Sequence, residues 1–393
     1  MSEQDAIVIV SATRTPMGGF QGELSSVSSP ELGATAIKAA LERANIQGSD
    51  VSEVIMGCVL PAGLGQAPAR QASIKADIPV SAGATTINKV CGSGMKAAML
   101  AHDLIKAQSA DIVVAGGMES MTNAPYLLPN GRGGMRIGHN KVLDHMMLDG
   151  LEDAYEGGSM GSFAQTTADE YQYTRERMDE FAINSTKKAQ AAIESGAFND
   201  EVVPVTYKTR KGDVTVSIDE QPGKARLDKI PALRAAFAKD GTITAATSSS
   251  ISDGAAALVV MRASEAEKRG LTPLCKIVGH ATHSQNPETF TTAPVGSIKT
   301  LLEKVNWSVE DVDLFEINEA FAMVTMVAID ELNIDEAKVN VHGGACALGH
   351  PIGASGARLL VTLVHALKQR NLTKGVASLC IGGGEATAVA IEL

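Results

Sequence analysis

Short apolar runs alternate with helical patterns through the first 120 residues of the chain. Residues 7–11, within Ala6-Ile7-Val8-Ile9-Val10-Ser11, predict a strand buried on both faces. Residues 30–44 predict a helix, 54–59 a strand, 95–107 a helix and 111–114 a strand. This alternation is the α/β pattern, with a largely buried mixed or parallel sheet. A weak repeat accompanies it: Ala110-Asp111-Ile112-Val113-Val114-Ala115-Gly116-Gly117-Met118-Glu119 is echoed by Gly375-Val376-Ala377-Ser378-Leu379-Cys380-Ile381-Gly382-Gly383-Gly384-Glu385. Each copy follows a small-residue helix that begins after a glycine-rich turn, so two copies of one α/β unit would set both turns near a shared axis. From about Ser120 to Ser248 the pattern changes to turns, at 129–134 and 221–224, and a charge-rich helix over 174–192 with Thr174 as its cap. That stretch reads as a large insertion after a core strand, of the kind that carries binding rather than fold. Core-like sequence resumes at Asp253-Gly254-Ala255-Ala256-Ala257-Leu258-Val259-Val260-Met261.

At 393 residues the chain exceeds one ordinary core, and two or three domains are expected. Glycine, with 38 residues, runs above the average of about 7%, which points to small-residue packing and many tight turns. The net charge of −11 argues against a nucleic-acid partner, because binding the phosphate backbone needs a basic surface. The longest basic cluster, Lys208-Thr209-Arg210-Lys211, reads as a single solvated turn. No stretch approaches the roughly 18 apolar residues of a membrane span. Met1 to Asp5 are acidic and show no basic, apolar or Arg-rich leader pattern, so a cytoplasmic location and no membrane partner are expected. Cysteines 58, 91, 275, 346 and 380 lie far apart without a C-x-x-C pair, which fits free thiols better than a disulfide framework or a zinc site. His280 and His283 form an H-x-x-H pair with no third ligand at convincing spacing; they are read as structural, and no metal is expected.

Three segments make a constellation for thiol chemistry. In Asn88-Lys89-Val90-Cys91-Gly92-Ser93-Gly94-Met95, Cys91 falls where a strand hands over to a helix, facing unpaired backbone N–H groups and the positive end of the helix dipole. Such a setting lowers a thiol pKa and makes a nucleophile; the plain alternative is a small buried hydrophobe. The second segment, Gly343 to Gly356, holds His350 in a glycine-rich turn, where it also reads as a capped turn histidine before Pro351. The third, Ser378-Leu379-Cys380-Ile381-Gly382-Gly383-Gly384, holds a second thiol.

Together with Gly116-Gly117-Met118-Glu119-Ser120-Met121 and Asn318-Glu319-Ala320-Phe321-Ala322, these segments resemble the successive signatures of the thiolases, over nearly the whole chain and most closely the short-chain, biosynthetic members. The resemblance implies duplicated mixed-sheet α/β units layered α-β-α-β-α. It divides the chain into an N-terminal core half (1–119 plus 249–271), an inserted loop domain for coenzyme A (120–248) and a C-terminal core half (272–393). It implies ping-pong condensation of two acetyl-CoA to acetoacetyl-CoA and CoA, with Cys91 as nucleophile, His350 as its base and Cys380 as the acid/base for the α-proton. The backbone N–H groups of Cys91 and Gly382 would form one oxyanion hole, and His350 with a water held by Asn318 the other. Asn318 reads equally as a helix N-cap ahead of Glu319-Ala320-Phe321. Substrate contacts implied are Met160, Ser249, Ala320 and Phe321, with Ser159 where histidine is usual and Lys224 or Arg226 in place of a basic contact near 222. Cys346 and Glu385 also depart from the family pattern, standing where an aliphatic and an uncharged residue are more usual. The partners implied are acyl-CoA thioesters, CoA and further copies of the chain, as a dimer or tetramer; no cofactor beyond the CoA of the substrate is expected.

Other readings compete. A longer-chain 3-ketoacyl-CoA thiolase shares every motif. Gly92-Ser93-Gly94-Met95-Lys96-Ala97 satisfies G-x-G-x-x-A with Asp111 about twenty residues on, the fingerprint of an NAD-linked oxidoreductase. That reading leaves Cys91 and the His350 and Cys380 segments unexplained. A non-catalytic acyl-CoA-binding scaffold would lack one of the four catalytic residues, and all are present.

Overall fold

Ile7 and Ile9 pack into one hydrophobic cluster while Val8 and Val10 pack into another on the opposite side of the same strand. This two-sided burial is what a continuous apolar run requires, and it recurs wherever the sequence reads as core. The computed structural model describes residues 5–393; Met1 to Gln4, part of the terminus read above for its lack of a leader pattern, lie outside the described residues.

Nine strands set the architecture: β1 (Ile7–Arg14), β2 (Glu53–Gly57), β3 (Gly83–Ile87), β4 (Ile112–Ser120), β5 (Ser252–Arg262), β6 (Cys275–Ser284), β7 (Leu314–Ile317), β8 (Lys374–Ile381) and β9 (Glu385–Glu392). They hydrogen-bond in the order β7-β8-β9-β6-β1-β5-β4-β2-β3, and the two-residue strand Gly18–Gly19 adds to β5. The sheet is mixed, as expected. β4 lies between parallel β2 and antiparallel β5, and β8 lies between parallel β7 and antiparallel β9. The two echoing segments of the sequence therefore occupy equivalent places in two copies of one unit. The two halves of the sheet join through two residue pairs among the described residues, Val8 with Lys276 and Ile9 with Cys275.

The longer helices among the described residues are α1 (Ser29–Ala44), α2 (Ser93–Lys106), α3 (Met160–Glu170), α4 (Arg175–Ser195), α5 (Ala293–Val305), α6 (Ala322–Leu332) and α7 (Ile352–Arg370). α1 covers the outer face of the first half with Leu32, Ile37 and Leu41, and α5 covers that of the second with Ile298 and Leu301. α2 and α7 fill the middle, in one cluster that takes Ile55 and Val113 from the first half and Leu379 and Val389 from the second. Every residue of α7 from Ile352 to Leu367 is buried, as a helix covered by sheet on both sides must be. The order is α-β-α-β-α.

α2 and α7 cross at contact distance because Gly94 and Gly356 carry no side chain. A Cβ on Gly356 would lie 2.4 Å from the Met95 backbone nitrogen, and one on Gly94 2.8 Å from that of Ala357. Gly94 thus serves helix packing, not the approach of a pyrophosphate, which removes the dinucleotide-fingerprint reading of 92–97.

The chain between β4 and β5 holds α3, α4 and a hairpin, Val205–Thr209 with Gly212–Val216, whose exposed turn carries Arg210 and Lys211. Thr174 Oγ1 accepts the Arg177 N–H at 3.2 Å and caps α4 as expected. Residues 221–224, expected as a turn, instead belong to a single helical turn, Glu220–Lys224, in which the Lys224 ammonium reaches the Glu220 carboxylate one turn back. This segment is tied to the core by Arg14 at the end of β1, whose buried guanidinium donates to Glu201 at 2.5 Å and to Asp219 at 2.7 and 2.9 Å.

Candidate active site

Cys91 sits in the turn from β3 into α2. Val90 before it has φ +45°, a left-handed conformation that costs a β-branched residue on the order of 1–3 kcal/mol. Local hydrogen bonds hold the turn: Val90 N–H donates to Asn88 Oδ1 at 2.8 Å, Lys89 N–H to Ser93 Oγ at 2.8 Å, and Ser93 Oγ to the Val90 carbonyl at 2.6 Å. The sequence predicts a thiol with lowered pKa at this helix start; the structure corrects that. Burial pushes the Cys91 thiol up to about 11, outweighing the N–H groups of Gly382 and of Cys91 itself, both of which favour the thiolate. Those two N–H groups come from loops in different halves of the chain and act on one sulfur.

His350 is buried between Leu348, the last residue of a short helix, and α7. Ser355 Oγ donates to the Pro351 carbonyl at 2.9 Å and lies 2.5 Å from His350 Nδ1. With its one proton so used, Ser355 accepts from Nδ1–H, and Nε2 is left with the lone pair. Burial, with the Arg358 guanidinium second, holds the His350 imidazole down at about 3, so it is neutral at physiological pH. Asn318 follows β7 directly, is fully buried, and places Nδ2 3.4 Å from His350 Nε2. Its Oδ1 has no hydrogen-bond partner among the described residues. The alternative role of Asn318 as an N-cap is excluded, since the following helix starts at Ala322 behind Phe321.

Cys380 is fully buried near the end of β8, and burial, followed by the nearness of Cys91, raises its thiol well above the ordinary value. At neutral pH both thiols are therefore protonated beside a neutral imidazole. After Gly382 the loop turns through Gly383 and Gly384, at φ +92° and +87°.

These groups converge. Cys91, His350, Cys380 and Gly382 line one cavity of about 290 Å³, together with Ser159, Met160, Ser249, Ala320 and Phe321. Ser249 N–H donates to the Ala320 carbonyl at 2.9 Å, which joins the two segments as one wall. Ser159 caps α3, accepting the Ser162 N–H at 3.2 Å, a local task that fits serine at this position. Met160 covers Gly382: a Cβ there would lie 3.2 Å from the Met160 sulfur. Lys224 and Arg226 are exposed and do not line the cavity.

Several walls were not foreseen. Phe237, Phe290, Met147 and Leu151 are lining residues from irregular or short helical segments, with no periodicity to mark them. Glu119, quoted only as part of a motif, is buried and accepts the N–H groups of Val59 at 2.9 Å and Gly353 at 2.8 Å, tying β4 to the start of α7. The H-x-x-H pair separates. His280 Nε2 meets Asp103 Oδ1 at 2.9 Å, alongside His102 at 3.0 Å, whereas His283 lies 3.1 Å from Gln285 Oε1. Cys346 and Glu385 lie outside the cavity wall; Cys346 Sγ is 3.6 Å from the Glu319 carbonyl. All five cysteines are free.

Two thiols and a neutral imidazole around one cavity, with backbone donors aimed at the first thiol, are the groups that acyl transfer requires. The chain belongs to the thiolase family: residues 7–264 match the thiolase N-terminal domain and 271–393 the thiolase C-terminal domain. It is 52% identical over 388 residues to an acetyl-CoA acetyltransferase of Cupriavidus necator, covering 98% of this chain and 99% of the relative. To an acetyl-CoA acetyltransferase of Escherichia coli K12 it is 51% identical over 387 residues, covering 98% of each. Among solved structures, the acetyl-CoA acetyltransferase of Bacillus anthracis superposes with a TM-score of 0.97 at 41% identity, over 99% of both chains. The Acat5 thiolase from Ascaris suum, in complex with coenzyme A, gives 0.93 at 44% identity, over 98% of this chain and 99% of the other.

Proposed function

We infer that the chain is an acetyl-CoA C-acetyltransferase that condenses two acetyl-CoA to acetoacetyl-CoA and CoA, and runs the reverse thiolysis. The observation that carries this is the meeting of Cys91, Cys380 and His350 in one cavity with the N–H groups of Cys91 and Gly382 directed at the Cys91 sulfur. His350 Nε2 takes the Cys91 proton as the thiolate attacks the acetyl carbonyl, and the two N–H groups hold the oxyanion. CoA leaves with the Cys380 proton, giving acetyl-Cys91, an imidazolium and a Cys380 thiolate. That thiolate removes the α-proton of a second acetyl-CoA, whose enolate oxygen is held by the His350 imidazolium and a water on Asn318. The enolate attacks acetyl-Cys91, and Cys91 leaves as a thiolate that recovers its proton from His350. Side chains and backbone donors supply every transfer, so no metal or nicotinamide enters the scheme.

Met160 over Gly382 supports a short acyl group over the longer-chain alternative. Residues 120–248 are proposed to carry the CoA tail beyond the cavity. A homo-oligomer, dimer or tetramer, is proposed from β3, which ends the sheet with its second edge unpaired among the described residues. No helix among the described residues is long and apolar enough to cross a membrane, and a cytoplasmic location is proposed.

The deciding test is thiolysis across 3-ketoacyl chain lengths, with intact-mass analysis after acetyl-CoA. One acetyl group on Cys91 and a rate that falls beyond four carbons are expected. Acetylation at Cys58, Cys275 or Cys346, or a preference for long chains, would refute the reading.

A further inference from the structure

The oxyanion hole proposed above has its two donors on loops 291 residues apart, at Cys91 and Gly382. Donors of this kind work only when held within about 0.5 Å of their productive positions. The hydrogen bonds inside the 88–93 turn shape that turn, including its strained Val90, but none of them fixes it against the glycine loop. An ion pair does: the Lys89 ammonium reaches the Glu385 carboxylate. Lys89 lies two residues before Cys91, and Glu385 three after Gly382.

Glu385 is well placed to act as the fixed end. It is the first residue of β9, in register with Ile381 on β8 and with Ser284 on β6, and Ser284 Oγ donates to its second oxygen at 3.0 Å. The Glu385 side chain is 32% exposed and that of Lys89 20%, so the pair is partly withdrawn from solvent screening. An apolar contact accompanies it, since Gly92 approaches Ile381 so closely that a Cβ would lie 2.3 Å from its Cδ1. That contact sets a minimum separation but no lateral position. Neither charged residue lines the cavity.

We propose that the Lys89–Glu385 ion pair is a positioning device, fastening the nucleophile turn to the sheet so that the Cys91 and Gly382 N–H groups converge on one oxyanion. The proposal rests on the acyl-transfer reading. It predicts a loss in kcat with little change in KM, because the pair acts on the alignment of transition-state donors and touches no part of the substrate.

Glu385→Gln keeps shape and the Ser284 contact while removing the charge, and Lys89→Met removes the other partner. Each is expected to lower kcat for acetoacetyl-CoA thiolysis about 10- to 100-fold, the range in which a displacement of up to 1 Å is felt. KM and Tm should stay near wild type. The double variant should be no slower than the slower single, and the charge-reversed pair Lys89→Glu with Glu385→Lys should recover part of the loss. A kcat within twofold of wild type in both singles overturns the proposal, as does a double variant whose loss is the product of the two. A wild-type chain that forms no acetyl-enzyme overturns the acyl-transfer reading and the positioning role with it; an active wild type with indifferent variants overturns the positioning role alone.

Discussion

At the scale of single residues, Cys91 shows two effects in competition. A helix start with converging N–H groups favours the thiolate, but transfer of the sulfur from water opposes it, and burial prevails: the thiol stands at about 11. The thiolate fraction of the free enzyme should therefore rise about tenfold per pH unit from neutrality towards 11, and the rate of Cys91 alkylation by iodoacetamide with it. A plateau reached by pH 8 would show that the dipole dominates. Division of labour between the two thiols gives a second test. Cys380→Ser should still accept acetyl from acetyl-CoA onto Cys91, because CoA can leave as a thiolate without the Cys380 proton, while condensation, which needs the α-proton removed, falls by roughly 10²–10⁴, the usual contribution of a general acid–base group. Measuring CoA exchange and condensation on that one variant decides it; equal losses would assign Cys380 to acylation or to structure.

At the scale of elements, the site depends on how closely α2 and α7 approach. α2 starts just after Cys91, and α7 just after His350. Gly356→Ala would put a Cβ 2.4 Å from the Met95 nitrogen, against backbone that can move only with its whole helix. Overpacking of this kind costs about 1–3 kcal/mol. Tm should fall accordingly. Activity should fall further than stability alone accounts for, since separating the helices separates His350 from Cys91, the proposed base from the proposed nucleophile. A variant that loses stability but keeps its kcat would show that the two turns are held independently of the crossing.

At the scale of the whole molecule, the long segment between β4 and β5 is fastened to the core by charges with no access to water. Arg14 and Glu201 have side-chain exposures of 0%, and Asp219 of 1%. Replacing Arg14 by Met leaves two buried carboxylates without their cation, which costs on the order of 3–5 kcal/mol. Limited proteolysis under native conditions should then cut between residues 120 and 250 well before the core. Uniform resistance would mean that the apolar contacts suffice.

The alternating runs were enough to define an α/β sheet, its helices and its repeat, because burial on both faces demands a continuous apolar strand at 7–11 and at 253–261 whatever the rest of the chain does. The glycine-flanked cysteines and His350 were legible too, since close backbone approach restricts side-chain size locally. What local sequence could not contain is anything set by distance between remote positions. The protonation of Cys91 depends on its burial in the folded chain, and the place of Asn318 beside His350, 32 residues further along, depends on how β7 and the start of α7 are brought together. The apolar wall made by Phe237, Phe290 and Met147 comes from segments without period, and the charges at 89 and 385 become a pair only once two loops nearly three hundred residues apart are brought together. Periodicity reports which face of an element is covered; only the tertiary structure decides what covers it, because solvation and electrostatic coupling are properties of neighbours in space.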